Sequence, residues 1–436
     1  MNEIDQRLFS RRNFLDLGWL TVLWGVLPCT PVWASKWAAQ GTPWPDVPMR
    51  LDVTPGRFPP LGINGDDVSR YPNGKPAGFR GFADPCVRRD PLSGDLWMAY
   101  SWPHMEHLGG HQRNFAIGVE THLAVSKDGG NSWQRTHVLW KKTPARFTDR
   151  KKGVARDGFI SHEVPNILPC VIDGNASWIG ARLDYFLGRE GNYKDRDNLS
   201  FCLRLMASAT LPGLSSSPFA TFGHDNSSPE CEVDVNVCKL SSDFPPLFIP
   251  NEPALYFKDG RLYLVFVVMT FYGQSPDFPK SFVAVLSTDL RGPIRSWKWR
   301  YHGKLATNKE AKELGGEALT QIELALGRDG QLLAFLVPES WNAKANKEIG
   351  GDAFFGIRHH GCAVVEVASL DTPALKKNKD GNLAVRAFLY SSEQPEHGPG
   401  AAAYDPGCAT GVLLTLRDIS TRGNLSWSLH PTGLHP

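Results

Sequence analysis

Five segments of the chain repeat one pattern of polar and apolar positions. Each begins with a polar or acidic residue and a proline or small residue, passes through a turn and continues into a strongly apolar strand. The turns read "SGD", "DGN", "KDGR", "RDGQ" and "DPGCATG", and such Gly- and Asp-rich sequences are typical of β-hairpins. The apolar strands begin near Leu96, Trp178, Leu262, Leu332 and Val412, at intervals of 70 to 84 residues. The pattern therefore predicts a repeated antiparallel unit.

A later apolar strand in each unit ends in a serine-containing turn. These strands are "THLAVSKDGG", "FCLRLMASAT", "SFVAVLSTDL", "CAVVEVASLD" and the shorter "NLSWSL". Repeated sheets of about four strands, with no helical periodicity between them, predict an all-β fold consisting of a single β-propeller. The unit length favours five blades, or six if residues 44–79 form part of a further blade. The N-terminal "MRLDVTP" is expected to supply the strand that closes the last blade.

Composition and charge narrow the classes of function. The 436 residues include 42 glycines and 33 prolines, 21% are charged, and the net charge is +2. Because acidic and basic residues are interspersed, a nucleic-acid-binding surface is not expected. Among the eight cysteines, Cys231 and Cys238 flank "EVDVN", where a short hairpin would bring them together, so we expect a disulfide between them.

The first 34 residues resemble a twin-arginine export signal. The stretch "SRRNFL" (10–15) has a polar residue, paired arginines and then an apolar run, and "VWA" (32–34) offers a cleavage site. The apolar run is shorter than the ~20 residues that a membrane-spanning helix needs. We therefore expect residues 1–34 to be removed. Residues 35–436 would then form the propeller domain, periplasmic or secreted and with no membrane attachment.

The stretch "SKDGGNSW" fits the pattern S-x-D-x-G-x-x-W and resembles the Asp box (BNR repeat) of sialidases. Its matching residues are Ser126, Asp128, Gly130 and Trp133. The resemblance implies a turn after the third strand of a blade, in which the aspartate accepts backbone N–H bonds and the tryptophan packs between strands. We interpret Asp128 as a marker of the fold, away from the active face, rather than as a catalytic group.

Other segments resemble the functional positions of sialidases. In "GFRGFADP", Arg80 stands where the family has an arginine that binds the substrate carboxylate, and in "GAAAYDPGC", Tyr404 stands at the tyrosine nucleophile. The resemblance places Glu106 at the acidic residue and Arg358, in "GIRHH", at the third arginine. The second arginine has no counterpart in "LAFLVPES", a departure that favours a propeller without catalysis.

A second resemblance is to five-bladed glycosidases of the arabinanase/xylosidase and invertase-like group. These draw one carboxylate from the start of each of the first three blades. Here the matching residues are Asp84 in "ADP", Glu163 in "HEVP" and Glu252 in "NEPALYF". Equivalent residues of propeller blades converge on one axial pocket. The resemblance implies Asp84 as base or nucleophile, Glu252 as general acid and Glu163 as a modulator of its pKa.

Further side chains are expected around the funnel. Arg182 in "GARLDY" and His162 are expected to line it. Three tryptophans could stack on a sugar, although tryptophans of a β protein more commonly pack in its core. They are Trp97, Trp102 and Trp341. Three histidines have the spacing of helical metal sites but lie in a glycine-rich loop, so no metal is assigned: His104, His107 and His111. Calcium is the one cofactor left open, through Glu232 and Asp234.

Together these patterns predict an exported, sialidase-like glycoside hydrolase that acts on a glycan through paired carboxylates. The alternative is a non-catalytic propeller that binds a glycan or scaffolds a protein partner. A redox enzyme is suggested only by the export signal, since the chain has no haem-attachment CxxCH and no nucleotide-binding loop. Neither a nucleic-acid partner nor a required cofactor is predicted.

Overall fold

The computed structural model describes residues 49–71, 73–107, 115–149, 154–188, 201–272, 275–341, 357–393, 399–421 and 424–436. The expected signal segment 1–34 and His111 lie outside the described residues. The side chains of Glu106 and His107 also lie outside them, although their backbone belongs to a strand.

The described chain consists almost entirely of β-strands. In chain order, the strands before residue 210 are β1 (Arg50–Asp52), β2 (Ile63–Asn64), β3 (Phe79–Gly81), β4 (Ala83–Arg89), β5 (Leu96–His107), β6 (Phe115–Ser126), β7 (Trp133–Trp140), β8 (Thr143–Asp149), β9 (Val154–Ile172), β10 (Asn175–Gly188) and β11 (Phe201–Ser208). Those that follow are β12 (Ala220–Gly223), β13 (Val235–Asn236), β14 (Ile249–Lys258), β15 (Arg261–Met269), β16 (Phe271–Tyr272), β17 (Ser275–Pro276), β18 (Phe282–Asp289), β19 (Arg300–Ala306), β20 (Ala318–Leu326), β21 (Leu332–Trp341), β22 (Ile357–His359), β23 (Cys362–Ser369), β24 (Ala374–Leu375), β25 (Val385–Tyr390), β26 (Ala402–Ala403), β27 (Leu413–Thr421) and β28 (Asn424–Pro431). A six-residue helix, α1 (Asn308–Glu313), begins with a capping box formed by Thr307 and Glu310.

The strands of the described ranges form five sheets of four or more strands. In order of pairing they are sheet 1 (β4-β5-β6-β7-β2), sheet 2 (β8-β9-β10-β11-β12-β13), sheet 3 (β14-β15-β18-β19), sheet 4 (β20-β21-β23-β25-β1) and sheet 5 (β26-β27-β28-β3). Short strands β22 and β24 pair with β21 and β23, and β16 pairs with β17. The first strand of each repeating unit, which we call its inner strand, is β4, β9, β14, β20 or β26. Each inner strand pairs antiparallel with the next strand of the chain.

Hydrophobic clusters fill the spaces between neighbouring sheets. They lie between sheets 1 and 2, 2 and 3, 3 and 4, and 4 and 5. A further cluster packs Met98 of sheet 1 against Leu429 of sheet 5, so the sheets follow one another around a ring. This is a propeller-like arrangement, and the prediction of an all-β, propeller-like chain is confirmed. In the described part of the chain, helices of the length and apolarity required to cross a membrane are absent.

The N-terminal segment pairs differently from the sequence-based expectation. The strand in "MRLDVTP", β1, pairs parallel to β25 of sheet 4, with Arg50 opposite Phe388. Sheet 5 instead receives β3, which runs parallel to β28. Val53 follows β1 and is buried in the cluster between sheets 4 and 5, which fixes β1 on sheet 4. The expectation that "MRLDVTP" closes the last sheet was therefore wrong.

The cysteines are also arranged differently from the expectation. None of the seven cysteines in the described chain forms a disulfide, and Cys231 and Cys238 are among them. The segment between these two does not form a hairpin, because Val235–Asn236 pairs parallel to β12 instead. The Cys238 Sγ lies 3.5 Å from the carbonyl oxygen of Pro245. The predicted Cys231–Cys238 disulfide was wrong.

The turn at residues 127–132 joins β6 to β7 and is closed by side chains. Asp128 Oδ1 accepts a hydrogen bond from the Ser132 N–H at 2.9 Å, and Oδ2 accepts one from the Ser132 hydroxyl at 2.5 Å. The Gly130 N–H donates to Ser126 Oγ at 2.7 Å. The bonds from Ser132 are the main reason that the pKa of Asp128 falls to about 2. Trp133 is buried in the cluster between sheets 5 and 1.

The turn lies next to the first residue of β5, whereas the start of the inner strand β4 lies beside the middle of β5. Ala83 at the start of β4 pairs with Ser101, whereas Ser126 just before the turn pairs with Leu96. Five residues of a strand span about 17 Å. Asp128 therefore lies far from the end of the sheets where the inner strands begin.

Gly130→Ala is expected to lower the free energy of unfolding by about 2–3 kcal/mol. Gly130 has a φ of 94°, and a Cβ there would lie 2.6 Å from Cys408 Sγ of sheet 5. Gly129→Ala is the matched control, because Gly129 also has a positive φ but its Cβ would make only an ordinary 3.6 Å contact. Urea unfolding of both variants checks this. If both variants lose the same free energy of unfolding, the loss comes from backbone strain at a positive φ and not from the close approach of the sheets.

Candidate active site at the starts of the inner strands

The inner strands of sheets 1, 2 and 3 share a strained β-bulge. The residue immediately before a proline has a positive φ in each: 46° at Asp84, 52° at Val164 and 48° at Glu252. Strand pairing is interrupted at each of these positions. A proline fits because it has no N–H to donate to the neighbouring strand. Bulges redirect side chains, and non-glycine residues with positive φ are rare enough to indicate a functional constraint.

The bulges correct the sequence-based alignment of the carboxylates. Val164, not Glu163, occupies the position equivalent to Asp84 and Glu252. Glu163 is one residue earlier, is half-buried, and has its Oε2 3.4 Å from the Tyr185 hydroxyl. Because successive strand residues point to opposite faces, a shift of one residue changes which direction the side chain takes. The expectation of three equivalent carboxylates was wrong; the structure has two.

The inner strands enclose a narrow pocket at this end of the sheets. Its lining includes Asp84, Asn166, Glu252, Gln321 and Glu323, together with the three bulge prolines. The cavity volume is about 20 Å³, enough for about one water molecule. A sugar ring is too large for it, so a glycan would have to lie across its opening with only the reacting atoms at the carboxylates.

Asp84 and Glu252 have different electrostatic environments. Burial raises the pKa of Asp84 to about 6, against the effect of a hydrogen bond from Ser101. Burial also raises the pKa of Glu252 well above its usual value, and the negative charges of Asp84, Glu163 and Glu339 add to this. Because the negative charge of Asp84 is one of the causes that raise the pKa of Glu252, Asp84 ionises first while Glu252 keeps its proton.

Sequence reasoning missed several residues at this end of the sheets, among them Gln321, Glu339 and Arg417. Gln321 is hydrogen-bonded to Glu252. Burial raises the pKa of Glu339 to about 8, although Thr320 and Arg417 oppose the shift. Burial lowers the pKa of Arg417 to about 10. Their only sequence signal is a polar or charged residue within an apolar strand, as in "LLAFLVPESW" and "VLLTLRDI".

A buried ion pair lies beneath the carboxylates. Glu323 accepts hydrogen bonds from the Arg88 guanidinium and from the Asn166 amide. Arg88 also donates to the Leu324 carbonyl at 2.9 Å, and Asn166 Oδ1 accepts the Leu255 N–H at 3.2 Å. Burial raises the pKa of Glu323, while Arg88 and Asn166 act to lower it. These bonds connect the inner strands of sheets 1 to 4 directly below the candidate catalytic groups.

His162 and Arg182 belong to a separate buried network in sheet 2. His162 Nδ1 lies 2.5 Å from Asp184 Oδ1, and Arg182 Nε donates to the same oxygen at 2.8 Å. Arg204 Nε is 3.1 Å from Asp184 Oδ2. Burial acts to raise the pKa of Asp184, but the positive partners outweigh it and lower that pKa to about 2. His162 and Arg182 therefore pair with Asp184 and, contrary to the expectation, do not line the pocket.

Arg80 and Tyr404 do not reach the pocket. Arg80 lies on β3, the outermost strand of sheet 5, and its Nη1 donates to the Ala77 carbonyl at 2.9 Å. Three strand spacings, about 14 Å, separate β3 from the inner strand β26. Tyr404 is buried between sheets 4 and 5, with its ring centroid 6.2 Å from that of Phe335. Neither is retained as a site residue. Arg358 lies on β22 next to His359, whose Nδ1 is 3.2 Å from Glu339 Oε1.

The residues weighed for metal binding have other contacts. His104 stacks on Trp102, with ring centroids 5.2 Å apart. Asp234 Oδ2 accepts the Thr221 N–H at 3.2 Å, and Glu232 adopts the left-handed conformation at the end of a 3₁₀ turn. Across the residues that the structure describes, there is no group of three or more His, Cys, Asp or Glu side chains placed to hold a metal ion.

No protein-family model matches the chain, and no curated protein matches it either. Among solved structures, the chain is similar to the α-L-arabinofuranosidase Arb93A of Fusarium graminearum, with 10% identity over 85% of this chain and 84% of that one and a TM-score of 0.39. It is also similar to an α-L-arabinanase of Penicillium chrysogenum complexed with arabinobiose, with 13% identity, 81% of each chain and a TM-score of 0.39. A protein of unknown function from Dyadobacter fermentans has 11% identity over 86% of this chain and 83% of that one, with a TM-score of 0.41. None of these similarities identifies a substrate for this chain.

Proposed function

We propose that this protein is a glycoside hydrolase in which Glu252 is the general acid and Asp84 is the base or nucleophile. The observation that carries the proposal is the pairing of these two carboxyl groups on equivalent strained bulges of one pocket, each with its pKa raised. Glycoside hydrolysis needs one protonated and one ionised carboxyl group on either side of the scissile bond. Burial and mutual repulsion supply that separation here.

The reaction follows from these charge states. The protonated Glu252 donates its proton to the departing glycosidic oxygen, so that the leaving group departs as a neutral alcohol. The ionised Asp84 attacks the sugar carbon or takes a proton from an attacking water. Gln321 holds the Glu252 carboxyl in place, and the negative charges of Asp84 and Glu163 disfavour an early loss of the Glu252 proton.

A substrate screen tests the proposal. Purified protein is assayed with arabinosides, xylosides, fructosides and sialosides, and bound glycans are detected in parallel by calorimetry. Hydrolysis of at least one class that depends on both Asp84 and Glu252 is expected. Binding without hydrolysis would replace the proposal with a glycan-binding propeller. If the protein neither binds nor hydrolyses any of these glycosides, none of the tested sugars is a ligand of this pocket.

We further propose that the sheets are the five blades of a sialidase-like propeller and that the protein is exported. The succession of clusters from sheet 1 to sheet 5 and back supports five blades. The side-chain-closed turn at 127–132, which resembles an Asp box, supports the sialidase-like relationship. Export rests on the "SRRNFL" and "VWA" stretches alone. N-terminal sequencing of the mature protein would test it, with a start at residue 35 expected.

Activity is expected to rise with pH as Asp84 loses its proton near pH 6 and to fall again as Glu252 loses its own at higher pH. Ser101→Ala should move the acidic limb to higher pH, because the Ser101 hydrogen bond lowers the pKa of Asp84. Profiles of kcat/KM against pH measure both limbs. Ser287→Ala, a buried serine on β18 bonded to His302 at 2.7 Å, is the control. An acidic limb that Ser101→Ala leaves unmoved would contradict the assignment of Asp84.

A further inference from the structure

Two cysteine thiols meet inside sheet 2. Cys202 lies on β11, and Cys231 ends the 3₁₀ turn Pro229–Cys231 that follows β12. β12 pairs with β11, and the chain beyond it folds back along β12, where the Asp234 N–H donates to the Thr221 carbonyl at 3.0 Å. The two thiols are hydrogen-bonded to each other, and their residues are 1% and 5% exposed.

A guanidinium group lies beside the two thiols. Arg204 is hydrogen-bonded to the Cys202 thiol, and its Nη2 lies 3.4 Å from the carbonyl oxygen of Cys231. Its Nε is also paired with Asp184 at 3.1 Å, so the side chain is held in position. The hydrogen bond from Cys231, helped by Arg204, lowers the pKa of Cys202, while the same contact raises the pKa of Cys231. This makes Cys202 the thiol that ionises first and Cys231 the one that keeps its proton.

The segment that carries Cys231 borders open space on its other side. A cavity of about 330 Å³ is lined by Ser228, Pro229, Val233 and Asp234, which flank Cys231 in the chain. Opening of this segment towards the cavity would break the Asp234–Thr221 hydrogen bond and give an oxidant a route to the thiols. Such local opening costs less than unfolding of the whole domain.

We propose that Cys202 and Cys231 are a dithiol pair that forms an intramolecular disulfide when the protein meets a disulfide oxidant. The Cys202 thiolate attacks one sulfur of the oxidant, forming a mixed disulfide and releasing one thiolate. Cys231 then loses its proton and attacks the Cys202 sulfur, which releases the second thiolate. The protein pair loses two electrons and two protons, and the oxidant disulfide becomes two thiols. The two thiols are already hydrogen-bonded to each other in the folded protein, so the disulfide would join neighbouring side chains of sheet 2.

The expected consequence is a more stable sheet 2. The bond would tie β11 to the segment after β12 and restrict the unfolded chain. Oxidation is expected to raise Tm by roughly 5 °C relative to the reduced protein. The disulfide does not depend on the proposed hydrolase activity, because neither cysteine lines the catalytic pocket.

The test equilibrates the reduced full chain with oxidised glutathione, then unfolds it and alkylates the remaining thiols. Mass spectrometry is expected to find two fewer alkylated cysteines than in the reduced sample, and peptide mapping to find a Cys202–Cys231 cross-link. Cys202→Ser should abolish both the cross-link and the rise in Tm, whereas Cys170→Ser, another buried cysteine, should keep them. If Cys202→Ser does not fold, peptide mapping of the unmodified chain remains decisive. Full alkylation after oxidation, only glutathione adducts, or a cross-link to Cys238 would overturn the proposal.

Discussion

Glu252→Gln is expected to lower kcat for a natural glycoside by about 10³-fold, the middle of the range for loss of a general acid. The amide has nearly the same shape as the carboxyl group, so it fills the same buried position on the bulge at Glu252. It cannot give up a proton to the departing oxygen, so the leaving group would depart as an unstable alkoxide. The effect is thus chemical, and substrate binding should change little.

The leaving group provides the signature of this role. With a dinitrophenyl glycoside, whose leaving group needs no proton, Glu252→Gln should retain activity within roughly tenfold of the unmodified protein. Asp84→Asn removes the base or nucleophile and should be impaired with both substrates. Single-turnover and steady-state rates with the two substrates separate these cases. Equal impairment of Glu252→Gln with both would contradict a general-acid role.

Glu163→Gln is the matched control for this series. The resemblance to five-bladed glycosidases made Glu163 the third carboxylate, but Val164 occupies the bulge and Glu163 contacts Tyr185 instead. We expect a change in kcat of less than about tenfold, with the alkaline limb moved to lower pH because one negative charge near Glu252 is removed. A loss of kcat as large as that of Glu252→Gln would mean that Glu163, rather than Val164, faces the substrate.

The parts of the fold that the sequence predicted are those that local chemistry determines. Hairpin turns such as "SGD" and "RDGQ" fix short antiparallel pairs, and β5 and β21 begin at the predicted Leu96 and Leu332. The pairing of β1 with sheet 4 joins segments that are hundreds of residues apart. The pairing of β1 with sheet 4 depends on the burial of Val53 between two sheets, and a local sequence pattern cannot predict such a long-range contact.

The candidate site was predicted in part for a similar reason. Asp84 and Glu252 were predicted from the resemblance to five-bladed glycosidases, and each is followed by a proline at its bulge. The same rule selects Val164, and the carboxylate of Glu163 drew attention one residue too early. Arg80 and Tyr404 followed from family resemblance, but the sheet positions of β3 and of the core between sheets 4 and 5 keep them from the pocket.

Arg88→Met is expected to lower the free energy of unfolding by about 3–5 kcal/mol at neutral pH, because it leaves the buried Glu323 carboxylate without its charge partner. The two side chains are 9% and 8% exposed, so water cannot replace the guanidinium. Without Arg88, burial would raise the pKa of Glu323 further above its unfolded value. The folded variant would then bind a proton that the unfolded chain releases, so its stability should fall as pH rises through the range above pH 4.5.

Urea unfolding at several pH values measures both effects. The deficit of Arg88→Met should be largest at neutral pH and should shrink as the pH falls below 4.5, where both states bind the proton. The double variant Arg88→Met/Glu323→Gln should recover much of the loss at neutral pH, because the uncompensated charge is gone while the Asn166 contact retains a polar partner. A double variant no more stable than Arg88→Met would show that Arg88 acts through its packing and its 2.9 Å bond to Leu324 rather than through the ion pair.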